Sequence, residues 1–135
     1  MSKILVIDDD DSNRESLEMY FSEEGYDVDT ASTGKQGVTR YVDSPADAVI
    51  LDIRLPDMEG FEVLDNLKAL NEDVKVIMVT AFHDEKTINR ALEKGSFAYI
   101  KKPINLYDLD SVVRKALMTD LPVYSTGDNQ VRQMK

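Results

Sequence analysis

Acidic side chains gather at two places where chemistry could follow. Asp8-Asp9-Asp10-Asp11 comes directly after the apolar run Ile4-Leu5-Val6-Ile7, and Asp52 ends the apolar run Ala48-Val49-Ile50-Leu51. Carboxylates crowded at the end of an apolar run are costly. Two like charges about 4 Å apart, at an effective dielectric of about 20, repel by roughly 4 kcal/mol. Asp10, Asp11 or Ser12 can relieve part of this by capping a following helix, where acids are favoured. Ser12-Asn13-Arg14-Glu15 also has the form of a capping box. Capping uses one or two of the acids, so Asp8 and Asp9 require a cation. If Asp52 joins them, three hard oxygen donors suit Mg²⁺. Two further groups end apolar runs: the hydroxyl of Thr80 after Val74–Val79, and the ammonium of Lys102 after Phe97-Ala98-Tyr99-Ile100.

These groups form one site only if the ends of the apolar runs meet. Ala48–Leu51 is continuously apolar and contains Val and Ile, which reads as a strand buried on both faces. Leu55-Pro56-Asp57-Met58-Glu59-Gly60 beyond it is loop chemistry. Leu17, Tyr20, Phe21 and Glu24 fall at helical spacing and mark a first helix, with Gly25 as its stop. Tyr26–Ala31 alternates and suits a half-exposed strand at a sheet edge. Ser32-Thr33-Gly34 turns the chain into a second helix, with Val38, Tyr41 and Val42 inward, ended by Ser44-Pro45. A third helix shows Phe61, Leu64, Leu67 and Lys68. A fourth shows Ile88, Ala91 and Leu92 and stops at Gly95. His83, the sole histidine, falls near the start of that fourth helix and is expected to be exposed. Asn105 caps a fifth helix carrying Leu109, Val112, Val113 and Leu117. Met58, Met78 and Met118 read as loop or core filler.

Strand–helix alternation with short connections predicts an α/β fold: a parallel sheet covered by helices on both faces. In a flavodoxin-like (βα)5 three-layer arrangement, the five strands run in the order 2-1-3-4-5. The switch point then lies between strands one and three. That order sets Asp8 and Asp9 beside Asp52, with Thr80 and Lys102 on the neighbouring strands. The periodicity ends at Leu121-Pro122, which divides the chain into a domain over 1–120 and a tail, or the start of a linker to an output domain, over 121–135.

Composition narrows the classes. The 135 residues are 42% hydrophobic and 31% charged, as in ordinary globular domains. With no cysteine there is neither a disulfide framework nor thiolate chemistry, in keeping with a cytoplasmic protein. Ile4–Ile7 is too short for a signal or membrane segment. A net charge of −10 disfavours direct nucleic-acid binding.

Over residues 3 to 118 the sequence resembles the receiver domain of two-component response regulators. The matching residues are Asp8-Asp9, Asp52 with Leu55-Pro56 and Gly60, Thr80-Ala81, and Lys102-Pro103. Each is common alone; all of them in order, each at a predicted strand end, are specific. The resemblance implies that Asp52 accepts a phosphoryl group, as 4-aspartylphosphate, from a sensor histidine kinase or a phosphotransfer protein. It implies Asp9 as a direct Mg²⁺ ligand, Asp8 as a ligand through water, and the backbone carbonyl of Arg54 as a further ligand. Thr80 and Lys102 would contact the phosphoryl oxygens, and Tyr99 would act as an aromatic switch. The Lys102–Pro103 bond is often cis in the family. Such a domain catalyses only its own phosphoryl transfer and dephosphorylation, and signals to an output domain or a second copy through residues 82–115. Lys102-Pro103-Ile104-Asn105-Leu106 is similar to the same stretch in receivers of nitrogen-regulation-type transcription activators. Two rival readings are an aspartyl-phosphate phosphatase and a degenerate receiver that serves as a scaffold. The phosphatase would want an Asp where Arg54 stands and a cap domain, and the degenerate receiver would lack a key residue.

Overall fold

The apolar runs and the stretches of helical periodicity alternate in space as they do in sequence. The computed structural model describes residues 2–82, 84–118, 123–125 and 131–133, with side chains for 2–82 and 84–118. In chain order the elements are β1 (Lys3–Ile7), α1 (Asp11–Glu23), β2 (Asp27–Ala31), α2 (Gly34–Asp43), β3 (Ala48–Asp52), α3 (Gly60–Leu70), β4 (Val76–Thr80), α4 (Glu85–Glu93), β5 (Ala98–Lys101) and α5 (Leu106–Met118). Two three-residue strands follow, β6 (Val123–Ser125) and β7 (Val131–Gln133). The main sheet has the order β2-β1-β3-β4-β5, and every neighbouring pair is parallel. β6 and β7 pair with each other antiparallel. The rest of the expected tail over 121–135 lies outside the described residues, as does His83.

Side chains alternate across each strand, so every interior strand feeds two cores. Ile4, Val6, Ile50, Ile77 and Val79 pack with Leu17 and Phe21 of α1 and with Leu109, Val112 and Val113 of α5. Leu5, Ile7, Val49, Leu51, Val76 and Met78 pack on the other face with Tyr41 of α2, Leu64 and Leu67 of α3, and Ala91 of α4. β2 is the more exposed edge strand. There Asp29 lies 3.7 Å from Lys3 and 3.5 Å from Arg40, and these charges discourage edge-to-edge pairing.

Helix ends follow local chemistry, with some shifts from expectation. Of the three expected candidates, Asp10 caps α1, its side chain accepting the Asn13 N–H at 3.0 Å. The chain is still extended at Asp10, so this acid reaches the cap position first, and Ser12 is already helical. Gly25 closes α1 at φ 97°: its N–H reaches the Ser22 carbonyl and the next N–H reaches Phe21. Gly95 closes α4 in the same way at φ 87°. Both are left-handed positions that favour glycine. Asn105 caps α5, accepting from Tyr107 N at 2.9 Å.

On α2, Tyr41 is buried and Val38 packs half-buried against the same core, as expected, but Val42 is exposed and Gly34 and Gly37 complete the buried face. A Cβ on Gly37 would stand 2.5 Å from the Ile7 Cδ1 atom, so α2 sits on β1 at a distance only glycine allows. Val63 similarly takes the buried place expected of Lys68 on α3. Met78 is core, Met58 is half-buried, and Met118 is exposed. Gly37→Val should therefore lower stability by about 1–3 kcal/mol through overpacking. Val42→Thr should stay within about 0.5 kcal/mol. Urea unfolding of the two variants checks this, and equal effects would place the α2 contact elsewhere.

Candidate functional site

Parallel strands bring their carboxyl ends to one edge of the sheet. Asp8 is the first residue past β1, Asp52 the last of β3, Thr80 the last of β4, and Lys102 the first past β5. The register sets Asp52 beside Val79 and Thr80 beside Lys101. Asp8 and Asp52 are buried, at 3% and 7% exposure, while Asp9 is exposed. One carboxylate oxygen from each of Asp8, Asp9 and Asp52 lies within 4.8 Å of the others. The Lys102 ammonium donates to Asp52 Oδ2 at 2.8 Å and stands 3.6 Å from Asp8 Oδ2.

The four acids expected to compete after β1 have separate roles. Asp10 caps α1, and Asp11 pairs with Arg14. Asp8 and Asp9 remain for the site. Burial pushes the Asp8 carboxyl above the usual carboxylate value. The Asp10 N–H, at 2.9 Å, and Lys102 pull it down, while the charges of Asp52 and Asp9 push it up. Burial alone would lower the Lys102 ammonium, yet its hydrogen bond to Asp52 and the charges of Asp52 and Asp8 raise it above the ordinary lysine value. Asp8 and Asp52 thus share one ammonium, Asp9 adds a third negative charge at the rim, and part of the excess is desolvated.

The loop after Asp52 is tightly folded. Arg54 N–H donates to Asp52 Oδ1 at 3.2 Å, and Arg54 bridges antiparallel to Glu59. Gly60 N–H reaches the Ile53 carbonyl at 2.6 Å. A Cβ on Gly60 would lie 2.5 Å from the Asp52 carbonyl oxygen, a backbone atom that cannot step aside. The Arg54 guanidinium stacks 4.3 Å above the Phe82 ring. Thr80, 1% exposed, accepts the Phe82 N–H on its hydroxyl at 3.1 Å. Tyr99 is fully buried, and burial, with the charge of Asp84, pushes its phenol above the usual value. Lys102–Pro103 is cis, and Lys101 is exposed.

Several contacts have little or no signal in the sequence. Arg14 donates to the Asp8 carbonyl at 2.9 Å, and the only hint is a cation one turn into a helix that follows an acidic run. Asp57 accepts from Gly34 N and Lys35 N, more than twenty residues away, with no local signal. On the face expected to signal, Arg90 stacks over Phe61 at 4.2 Å and reaches Glu59 at 3.5 Å. Lys94 pairs with Asp65 at 2.8 Å and Arg114 with Asp110 at 3.0 Å, so these cations are engaged within the protein.

Residues 4–114 match the model of the response regulator receiver domain. The chain belongs to this family. It is 32% identical over 117 residues to the regulatory protein AtoC of Escherichia coli, covering 87% of this chain and 25% of that protein. It is 32% identical over 115 residues to sporulation initiation phosphotransferase F of Bacillus subtilis, covering 85% of this chain and 93% of that one. The chain therefore spans about a quarter of one relative and nearly all of the other. The response regulator TrrA of Thermotoga maritima, solved in complex with Mg²⁺-BeF, superposes with a TM-score of 0.77 at 33% identity, covering 87% of this chain and 100% of that one. Receiver domains are regulatory phosphoacceptors of phosphorelay signalling, and nothing in the comparisons favours a degenerate receiver. Receiver domains bind Mg²⁺ at their acidic pocket and work with histidine kinases and output domains. The three clustered carboxylates here fit a hard divalent cation: all donors are oxygen, and a partly desolvated negative excess awaits compensation. Among the described residues no helix is long and apolar enough to cross a membrane.

The burial of Asp8 has a measurable consequence. The folded protein holds the Asp8 proton more tightly than the unfolded chain does, so ionising Asp8 weakens the fold. Its contribution to stability falls as pH rises from the ordinary carboxylate value through the raised one, and the loss persists at neutral pH. Without divalent ions at pH 7, Asp8→Asn should be more stable than the parent and melt at a higher temperature. Millimolar Mg²⁺ should raise the parent's Tm and leave the variant's nearly unchanged. Thermal melts with chelator and with Mg²⁺ check both signs; a variant less stable than the parent in chelator contradicts the charge assignment.

Proposed function

We propose that Asp52 is the phosphoacceptor. Its carboxylate oxygen forms the new O–P bond as the P–N bond of a donor phosphohistidine breaks. A sensor kinase or a phosphotransfer protein serves as the donor; in either case the departing imidazole keeps the electron pair and takes a proton from solvent. The observation that best supports this is the convergence on one buried carboxylate: the Lys102 ammonium at 2.8 Å and the oxygens of Asp8 and Asp9 within 4.8 Å. In this reading Asp8, Asp9, Asp52 and the Arg54 carbonyl hold Mg²⁺, which when bound neutralises charge spread over the phosphoryl oxygens.

The protein's own groups do the rest. Lys102 shifts from the Asp52 carboxylate to a phosphoryl oxygen, where its charge is needed as negative charge accumulates. The Thr80 oxygen already accepts from Phe82, which leaves its hydroxyl proton to donate to the phosphoryl group. The aspartyl phosphate brings close to two negative charges, by analogy with roughly −1.5 to −2 for a phosphoserine. Thr80, drawn toward them, changes the packing around β4 and β5, where Tyr99 is buried. α4 buries only Ala91 and is held to α3 through Arg90 and Lys94, so it yields readily. Residues 82–115 then present a different surface to an output domain or to a second copy. The domain acts in the cytoplasm, turns over no substrate beyond its own aspartyl phosphate, and makes no direct contact with nucleic acid.

Incubation with Mg²⁺ and acetyl phosphate, followed by intact mass, tests this assignment. The parent gains one phosphoryl group, and Asp52→Asn gains none. Lys102→Ala is phosphorylated about 100-fold more slowly, the scale of losing one charge-stabilising donor, whereas Lys101→Ala stays within about 2-fold. Stoichiometric phosphorylation of Asp52→Asn would place the acceptor elsewhere.

A further inference from the structure

Loop 53–60 does more than close on itself. Its tip reaches across to α2, where Asp57 Oδ1 accepts the Gly34 N–H at 2.8 Å and Oδ2 accepts the Lys35 N–H at 2.9 Å. The next amide of that helix, Gln36 N–H, is capped separately by the Thr33 hydroxyl at 3.0 Å. One carboxylate from a distant loop therefore satisfies two of the amides that a helix start leaves without partners. Those two amides hold the Asp57 carboxyl below the usual carboxylate value. Beside this contact Met58 fills the space that a side chain on Gly34 would occupy.

We propose that Asp57 is a positioning residue for the acceptor site, latching the tip of loop 53–60 to α2 and so fixing Asp52 and the Arg54 carbonyl relative to Asp8 and Asp9. The chain of contacts is continuous. At its base the loop is closed by Gly60 N–H on the Ile53 carbonyl and by the Arg54–Glu59 bridge. At its tip Asp57 and Met58 hold it to α2. α2 in turn sits through Gly37 directly on Ile7, the residue before Asp8. The two halves of the carboxylate cluster come from different strands, and Asp57 joins them through α2. The proposal rests on the reading of Asp52 as the acceptor.

A plain helix cap would behave differently, and Thr33 supplies the comparison. Three variants, Asp57→Ala, Asp57→Asn and Thr33→Ala, are compared with the parent by thermal melts, by Mg²⁺ titration calorimetry and by acetyl phosphate phosphorylation rate. Asp57→Ala should weaken Mg²⁺ binding about 10-fold, the lower end for loss of a group that orients metal ligands, and slow phosphorylation in proportion. Asp57→Asn, whose amide oxygen can still accept one of the two N–H groups, should recover part of both. Thr33→Ala should lower Tm as a lost cap does, with Mg²⁺ affinity and rate unchanged within about 2-fold. Asp57 is exposed, so its variants should remain folded, and the melts verify this. Parental Mg²⁺ affinity in Asp57→Ala overturns the proposal, and so do equal losses in Thr33→Ala. A parent that binds Mg²⁺ yet is never phosphorylated on Asp52 overturns the acceptor reading instead, and the Mg²⁺ comparison still decides the role of Asp57.

Discussion

Asp8 and Asp52 are buried carboxylates that share one ammonium, Lys102, at 3.6 and 2.8 Å, with Asp9 adding a third negative charge at the rim. Unpaired charge is expensive to bury, and a pair broken by loss of one partner is worse. The sheet accepts this because its two cores are nearly free of other buried charge and because the acids lie at its edge, where a cation can enter. A site with a negative excess and one movable cation is prepared for two arrivals, a divalent metal and a phosphoryl group. The negative excess attracts the metal, and the metal with Lys102 would offset the charge of the phosphoryl group.

The surrounding backbone holds that arrangement in place. Arg14 on the Asp8 carbonyl, Gly60 against the Asp52 carbonyl and Asp57 across to α2 each restrain a piece of chain that carries a site residue. On the α4 side restraint gives way to adaptable contacts. Arg90 on Phe61 and Lys94 on Asp65 are partly solvated pairs of the kind that contribute little to stability and break readily. Rigidity near the acids and looseness at α4 suit a domain in which a local charge event biases a distant surface.

Much of this was legible in the sequence because burial leaves a simple trace. Ala48–Leu51 and Val76–Val79 are apolar on both faces, which makes them interior strands, and a parallel sheet then forces their ends together. Asp8, Asp9, Asp52, Thr80 and Lys102 follow from the ends of four apolar runs once the strands take the order 2-1-3-4-5, and the alternation of Tyr26–Ala31 marks β2 as an edge. What was not legible depends on the absence of atoms or on distant partners. Gly34 and Gly37 join Tyr41 on the buried face of α2 because nothing projects from them, so a search for apolar side chains finds Tyr41 but adds Val42 in their place. Local chemistry offered Asp10, Asp11 and Ser12 as caps of α1, and the turn after β1 decides that Asp10 arrives first. Asp57 looked like an ordinary loop acid, since its partners on α2 are set by tertiary packing.

The most direct test of the account is a crystal structure of the protein with Mg²⁺ and beryllofluoride. The account predicts beryllofluoride bonded to a carboxylate oxygen of Asp52, the Lys102 ammonium moved from that carboxylate to a fluoride, and the metal held among Asp8, Asp9, Asp52 and the Arg54 carbonyl. An unmodified Asp52 still paired with Lys102, with beryllofluoride or Mg²⁺ bound elsewhere, would contradict it.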